Sequence, residues 1–150
     1  TQVLLKRGAK KIYALDVGSN QLSLDLKKVP NIISMEKKDI RNLEHSFVLF
    51  FDMVVVDISF ISLSKVIDHI HRVTKVSGEI ILLFKPQFEV GKINLTKNGI
   101  VKDPKISFDA LLRMISELEK IGLEYQKSVM SKIKGKTGNQ EIFLYLKKRE

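Results

Sequence analysis

Short apolar runs rich in β-branched residues alternate with amphipathic stretches along the chain, the pattern of strands interleaved with helices. "TQVLLKRG" reads as the end of a helix, with Gly8 placed for the left-handed residue that closes one. "KKIYALDVG" follows as a buried strand ending at Asp16, and "NIISMEKKD" as a second ending near Asp39. Between them "NQLSLDLKK" predicts a short amphipathic helix that Pro30 would close. "FFDMVVVD" is a third strand, uninterrupted and β-branched, that runs straight into Asp57. Over residues 62–74, Leu63, Val66, Ile67, Ile70 and Val73 share one face at helical spacing.

"GEIILLFK" is a fourth strand, ending at Lys85. From Pro86 to Asp103 no regular pattern appears, which points to a lid or binding loop. A helix then starts with Asp103 as N-cap and Pro104 in its first position, and ends before Gly122. "LEYQKSVMS" and "QEIFLYLKK" are two further strands joined by the basic loop "KIKGKTGN". The alternation implies right-handed crossovers and a mostly parallel sheet covered on both faces. The last two strands have no helix between them and are expected to pair antiparallel. The fold class is therefore α/β, Rossmann-like, with a C-terminal antiparallel hairpin. With no internal repeat or linker, residues 1–150 read as one domain.

Composition adds a partner class. The net charge of +9 attracts a polyanion, either nucleic acid or an acidic membrane surface, although lysine abundant throughout a proteome would give the same figure. The absence of cysteine excludes disulfides and cysteine-based metal or redox sites, and no metal is expected. No apolar run is long enough to cross a membrane, so a cytoplasmic protein is expected. The first residue, Thr1, falls inside a helix-like stretch, and a fragment or processed form of something longer is expected.

In an open α/β sheet, ligands sit beyond the carboxyl ends of the parallel strands. Asp16, Asp39, Asp57 and Lys85 all fall at or just past such ends. Glu141 begins a strand of the opposite sense, whose amino end reaches the same rim, as does the loop carrying Lys132, Lys134 and Lys136. Each has a plain alternative: Asp16 and Asp39 as turn formers, Asp57 as a helix cap, Lys85 and Glu141 as exposed strand termini. A carboxylate at a strand end can accept both hydroxyls of a ribose, and a second can accept an adenine amine; that chemistry suits NAD and S-adenosyl-L-methionine alike.

The strings "AKKIYALDVGSNQL", "VVVDISFISLSKVI", "FKPQFEVGK", "GIVKDP" and "GNQEIFLYL", in this order and over nearly the whole chain, resemble the TlyA (hemolysin A) family. The resemblance implies an FtsJ-like RNA ribose 2′-O-methyltransferase that uses S-adenosyl-L-methionine, with ribosomal RNA or a ribosomal subunit as partner. It implies Asp57, Lys85 and Glu141 as three members of a Lys-Asp-Lys-Glu catalytic set. Asp16 and Asp39 would be the cofactor carboxylates, with Asp57 also facing the methionine end. The family's glycine-rich cofactor loop, the first lysine of the set and a small N-terminal RNA-binding domain are not found in these residues. The strand preceding that loop, between those ending at Asp16 and Asp57, is expected to be missing too.

Methyl transfer to a ribose hydroxyl needs that hydroxyl oriented and relieved of its proton. Lys85 is either the base or, as an ammonium, the group that stabilises the developing alkoxide, with Asp57 fixing its position. Glu141 would orient the hydroxyl or Lys85. Lys132, Lys134 and Lys136, with Lys92 and Lys97, would grip phosphates. Phe88 would stack on a target base or anchor the lid. Three rival readings compete: a NAD-dependent oxidoreductase, a catalytically incompetent RNA-binding or ribosome-associated module, and a membrane-active hemolysin. His69 and His71 read as packing residues of an amphipathic helix.

Overall fold

β-Branched runs dictate the strands of this α/β protein, and a computed structural model describes all 150 residues in two compact units, Thr1–Glu44 and His45–Glu150. The first unit holds the helix α1 (Gln2–Lys6), the strand β1 (Ile12–Asp16), the short helix α2 (Leu24–Lys27) and the strand β2 (Ile32–Glu36). β1 and β2 pair in parallel, Ile12 opposite Ile32 and Asp16 opposite Glu36, as a βαβ connection requires. The helix between them is a single turn, much shorter than its amphipathic pattern suggested. β2 stops at Glu36 because Lys37 takes a left-handed φ of 55°, and Asp39 lies three residues beyond the strand.

The second unit contains β3 (Phe51–Val56), α3 (Ile67–Val73), β4 (Thr74–Phe84), α4 (Pro104–Lys120), β5 (Leu123–Met130) and β6 (Ile142–Lys148). Its sheet has the order β3-β4-β6-β5. β3 and β4 are parallel; β6 runs antiparallel to both of its neighbours, so the terminal hairpin folds back with its second strand next to β4. The α/β class and the terminal antiparallel pair are as expected, but the strands form two sheets rather than one. Within them, β1 is paired only with β2, and β3 only with β4.

Alternation on the strands builds the core. Ile80, Leu82 and Phe84 of β4 and Leu144 and Leu146 of β6 have no exposed surface, and Ile70, Leu118 and Leu123 are sealed as completely. α4 contributes Ala110, Leu111, Met114 and Leu118, a stripe at helical spacing, and is started by Asp103, whose carboxylate accepts from the Lys105 amide. Gly122, at φ 84°, turns the chain out of α4 into β5, the left-handed conformation that a side chain would resist. Met53, Val55, Val129 and Phe143 remain exposed. The expectation of full cover on both sheet faces is therefore not met in this unit.

One cation is buried in the core. Lys148 is 7% exposed, and its ammonium donates to the carbonyls of His71 and Thr74 at 2.8 and 3.0 Å. It thereby caps the carboxyl end of α3, where unpaired carbonyls and the helix dipole favour a positive charge. Burial lowers its pKa from the ordinary lysine value.

Candidate active site

The β3–β4 register places Val56 opposite Leu82, and the β4–β6 register ends with Phe84 opposite Ile142. Asp57 and Lys85 therefore leave the carboxyl ends of two adjacent parallel strands, while Glu141 enters the antiparallel strand beside them. All three lie at one end of the four-stranded sheet, the end where open α/β sheets place ligands.

Asp57 does not cap a helix. That task falls to Ser62, whose hydroxyl accepts from the Ser64 amide. Asp57 instead pairs with Lys85, Oδ1 to Nζ at 2.7 Å. The lysine also donates to Ser59 Oγ at 2.9 Å. Its side chain is only 12% exposed, whereas that of Asp57 is 66% exposed, so the cation is sheathed and its counter-ion faces solvent. An ammonium has three donors. Two are committed here, and the third has no partner in the protein.

Glu141 is 9% exposed. Its Oε1 accepts from Gln87 Nε2 at 3.4 Å, and Gln87 sits on the same turn as Lys85; the other end of that amide, Oε1, is buried without a hydrogen bond. Gly135 of the basic loop lies against the same carboxylate so closely that a Cβ there would stand 2.6 Å from Glu141 Oε1. A side chain at this position would force the carboxylate to move. Lys132, Lys134 and Lys136 on this loop are exposed.

Asp16 and Asp39 belong to the first unit. Asp16 is the exposed last residue of β1 and accepts from the Gly18 amide through Oδ1 at 2.7 Å, leaving Oδ2 open. Asp39 caps a 3₁₀ turn by accepting from the Arg41 amide, and its two oxygens also take Arg41 Nε at 3.0 Å and Nη2 at 2.6 Å. Asp39 is thus engaged with Arg41.

Four residues of the site escaped the sequence reading. Ser59 is the second partner of Lys85. Phe60 is 92% exposed, has a left-handed φ of 67°, and packs its ring on Phe88 with centroids 5.4 Å apart. A bulky residue at positive φ is a genuine outlier. Gln87 reaches Glu141, and Glu89 holds the Ser62–Leu63 backbone and hydroxyl. All four lie inside the "DISFISL" and "FKPQFE" strings, so the motifs pointed to them although no periodicity did.

A strand-end ion pair, a buried carboxylate just before the next strand and a cationic loop thus meet at one end of an α/β sheet. The FtsJ-like methyltransferase family model matches residues 1–148, and the chain belongs to that family. The 23S rRNA (cytidine-2′-O)-methyltransferase TlyA of Campylobacter jejuni is 43% identical over 145 residues, covering 96% of this chain and 56% of that protein. The 16S/23S rRNA (cytidine-2′-O)-methyltransferase TlyA of Mycobacterium tuberculosis is 35% identical over 148 residues, covering 98% of this chain and 55% of that protein. Among solved structures, a candidate hemolysin from Streptococcus thermophilus superposes with a TM-score of 0.92 at 33% identity, over 99% of this chain and 54% of that one. The chain thus spans about half the length of these relatives.

Proposed function

We propose that this chain carries catalytic residues of an RNA ribose 2′-O-methyltransferase acting on ribosomal RNA, with S-adenosyl-L-methionine as methyl donor. The observation that carries the reading is the Lys85 ammonium, held by Asp57 and Ser59 with one donor uncommitted, on the same strand-end rim as Glu141. The names of the two TlyA relatives, both RNA 2′-O-methyltransferases, support the choice of substrate.

Asp16 fits a donor of this kind: an exposed carboxylate at a strand end, with one oxygen fixed by Gly18 and the other open to ribose hydroxyls. Asp39 fits only if Arg41 releases it or shares it. When bound, S-adenosyl-L-methionine supplies an electrophilic methyl on a sulfonium. Asp57 fixes the Lys85 ammonium, and its exposed face is available to the methionine end. Lys85 points its third N–H at the ribose oxygen and stabilises negative charge there as it develops, a role an ion-paired lysine fills better than that of proton acceptor. Glu141 accepts a hydrogen bond from the same hydroxyl or takes up its proton. Lys132, Lys134 and Lys136 hold phosphates through charge alone.

The pH dependence of single-turnover methylation by the native protein tests these roles. A rate that stays flat as pH falls and collapses in Lys85→Met supports charge stabilisation. A steep acid limb that disappears in Lys85→Met makes Lys85 the base instead.

A further inference from the structure

The turn that follows β4 grips the rest of the site through four side chains. Pro86–Phe88 form one 3₁₀ turn, closed by Phe88 and Glu89 amides donating to the carbonyls of Lys85 and Pro86. From this turn Lys85 reaches Asp57 and Ser59, Gln87 reaches Glu141, Phe88 packs on Phe60, and Glu89 reaches Ser62 and Leu63. The Glu89 contacts are the most fully made: Ser62 Oγ donates to Oε2 at 2.6 Å and the Leu63 amide donates to Oε1 at 2.9 Å. Ser62 Oγ in turn lies 2.7 Å from Ser64 Oγ.

The segment from Asp57 to Leu63 is thus pegged at both ends to one turn, by Lys85 at its start and by Glu89 at its finish. Between the pegs stands Phe60 at φ 67°. A strained residue persists only where its surroundings over-determine it. Neither Phe60 nor Ser59 is buried, so apolar packing does not impose the conformation. The two pegs do.

We infer that Glu89 is a positioning residue for methyl transfer: by holding Ser62 and Leu63 it keeps the 57–63 loop bent, and with it Asp57 and Ser59 on the Lys85 ammonium. Without the Glu89 peg the loop can relax at Phe60, and the Lys85 ammonium loses its fixed direction. Misplacement of about an ångström far from the reacting bond is enough to cost on the order of 100-fold in rate. Glutamine is able to replace glutamate here. Its Oε1 would accept from Leu63, and its Nε2 would donate to Ser62 Oγ, whose own proton then turns to Ser64; the Ser62–Ser64 bond can run in either direction.

The inference rests on the methyltransferase reading, and the test separates the two. The native protein carrying this chain is assayed by single-turnover methylation at saturating ribosomal RNA and S-adenosyl-L-methionine, with amide hydrogen exchange read in parallel. Expected is a loss of about 10-fold to 100-fold in rate for Glu89→Ala, faster exchange confined to residues 60–64, and Glu89→Gln within about threefold of the parent by the acceptor argument above. Parent-like rates in Glu89→Ala overturn the inference and leave the reading intact. So does an equal loss in both variants with faster exchange throughout the β4 and β6 core, which would make Glu89 a general folding residue. A parent protein that methylates no RNA overturns the reading itself, and the inference with it.

Discussion

The two units hold their candidate residues in opposite ways. In the first, each carboxylate is fixed from two residues away: Asp16 by the Gly18 amide, Asp39 by the Arg41 amide and guanidinium. In the second, the bonds that join the site cross long stretches of chain, from Asp57 to Lys85, Gln87 to Glu141 and Ser62 to Glu89. Local bonds survive whenever their turn survives. Long-range bonds exist only when the sheet is assembled, so a site built from them is coupled to folding and sensitive to small displacements. Under the proposed function, recognition of a cofactor ribose would tolerate the first arrangement, and orienting a reacting hydroxyl would call for the second.

Breaking the long-range set has the largest effect. Lys85→Ala should lower single-turnover methylation by the native protein on the order of 10²–10³-fold, as loss of a preorganised charge stabiliser does elsewhere. Thermal unfolding should move little, because the Asp57 carboxylate left behind is mostly exposed and remains solvated. Gly135→Ala attacks the same set without touching any charge. Its Cβ would stand 2.6 Å from Glu141 Oε1, so the carboxylate must move, and a rate loss of about 10-fold or more is expected with RNA affinity retained. An unchanged rate there would mean that Glu141 does not need its observed position.

The fold itself gives a smaller effect. Lys148→Met keeps the aliphatic stem but leaves the carbonyls of His71 and Thr74 without their donor. A loss of about 1–2 kcal/mol in denaturant unfolding follows from removing hydrogen bonds to a charged group, offset by relief of the buried charge. His71 gives the smallest. Burial, and then the charge of Lys148, lower its pKa below the ordinary 6.5, while Asp68 opposes them. The folded chain therefore takes up this proton less readily than the unfolded chain. Stability should fall as pH drops from about 6.5 toward the lower folded value. In His71→Gln that part of the pH dependence should vanish from the unfolding curve.

What the sequence made legible follows the same division. Strand ends were legible because an apolar run halts where its acid or lysine begins, as at Val56–Asp57 and Phe84–Lys85. The helix read over 62–74 is divided in fact. Ser62 opens a 3₁₀ turn, Val66 departs from helical geometry at φ −128°, and α3 starts only at Ile67. β4 starts at Thr74, directly after α3, which the polar stretch through Ser77 concealed. The partners that complete the site, Ser59, Gln87 and Glu89, were illegible because their bonds span 26 to 54 residues, a separation to which helix and strand periodicities are blind. Asp39 shows the reverse case. Its strand-end placement was legible, but not that Arg41 two residues on would occupy it.

The most direct measurement is the transfer of a labelled methyl group from S-adenosyl-L-methionine to ribosomal RNA by the native protein, with the product mapped by resistance of the adjoining phosphodiester to alkali. The account predicts label on a ribose 2′-oxygen at a discrete position, lost in Lys85→Ala and reduced in Glu141→Gln. Label on a base, or a product indifferent to Lys85, would contradict it.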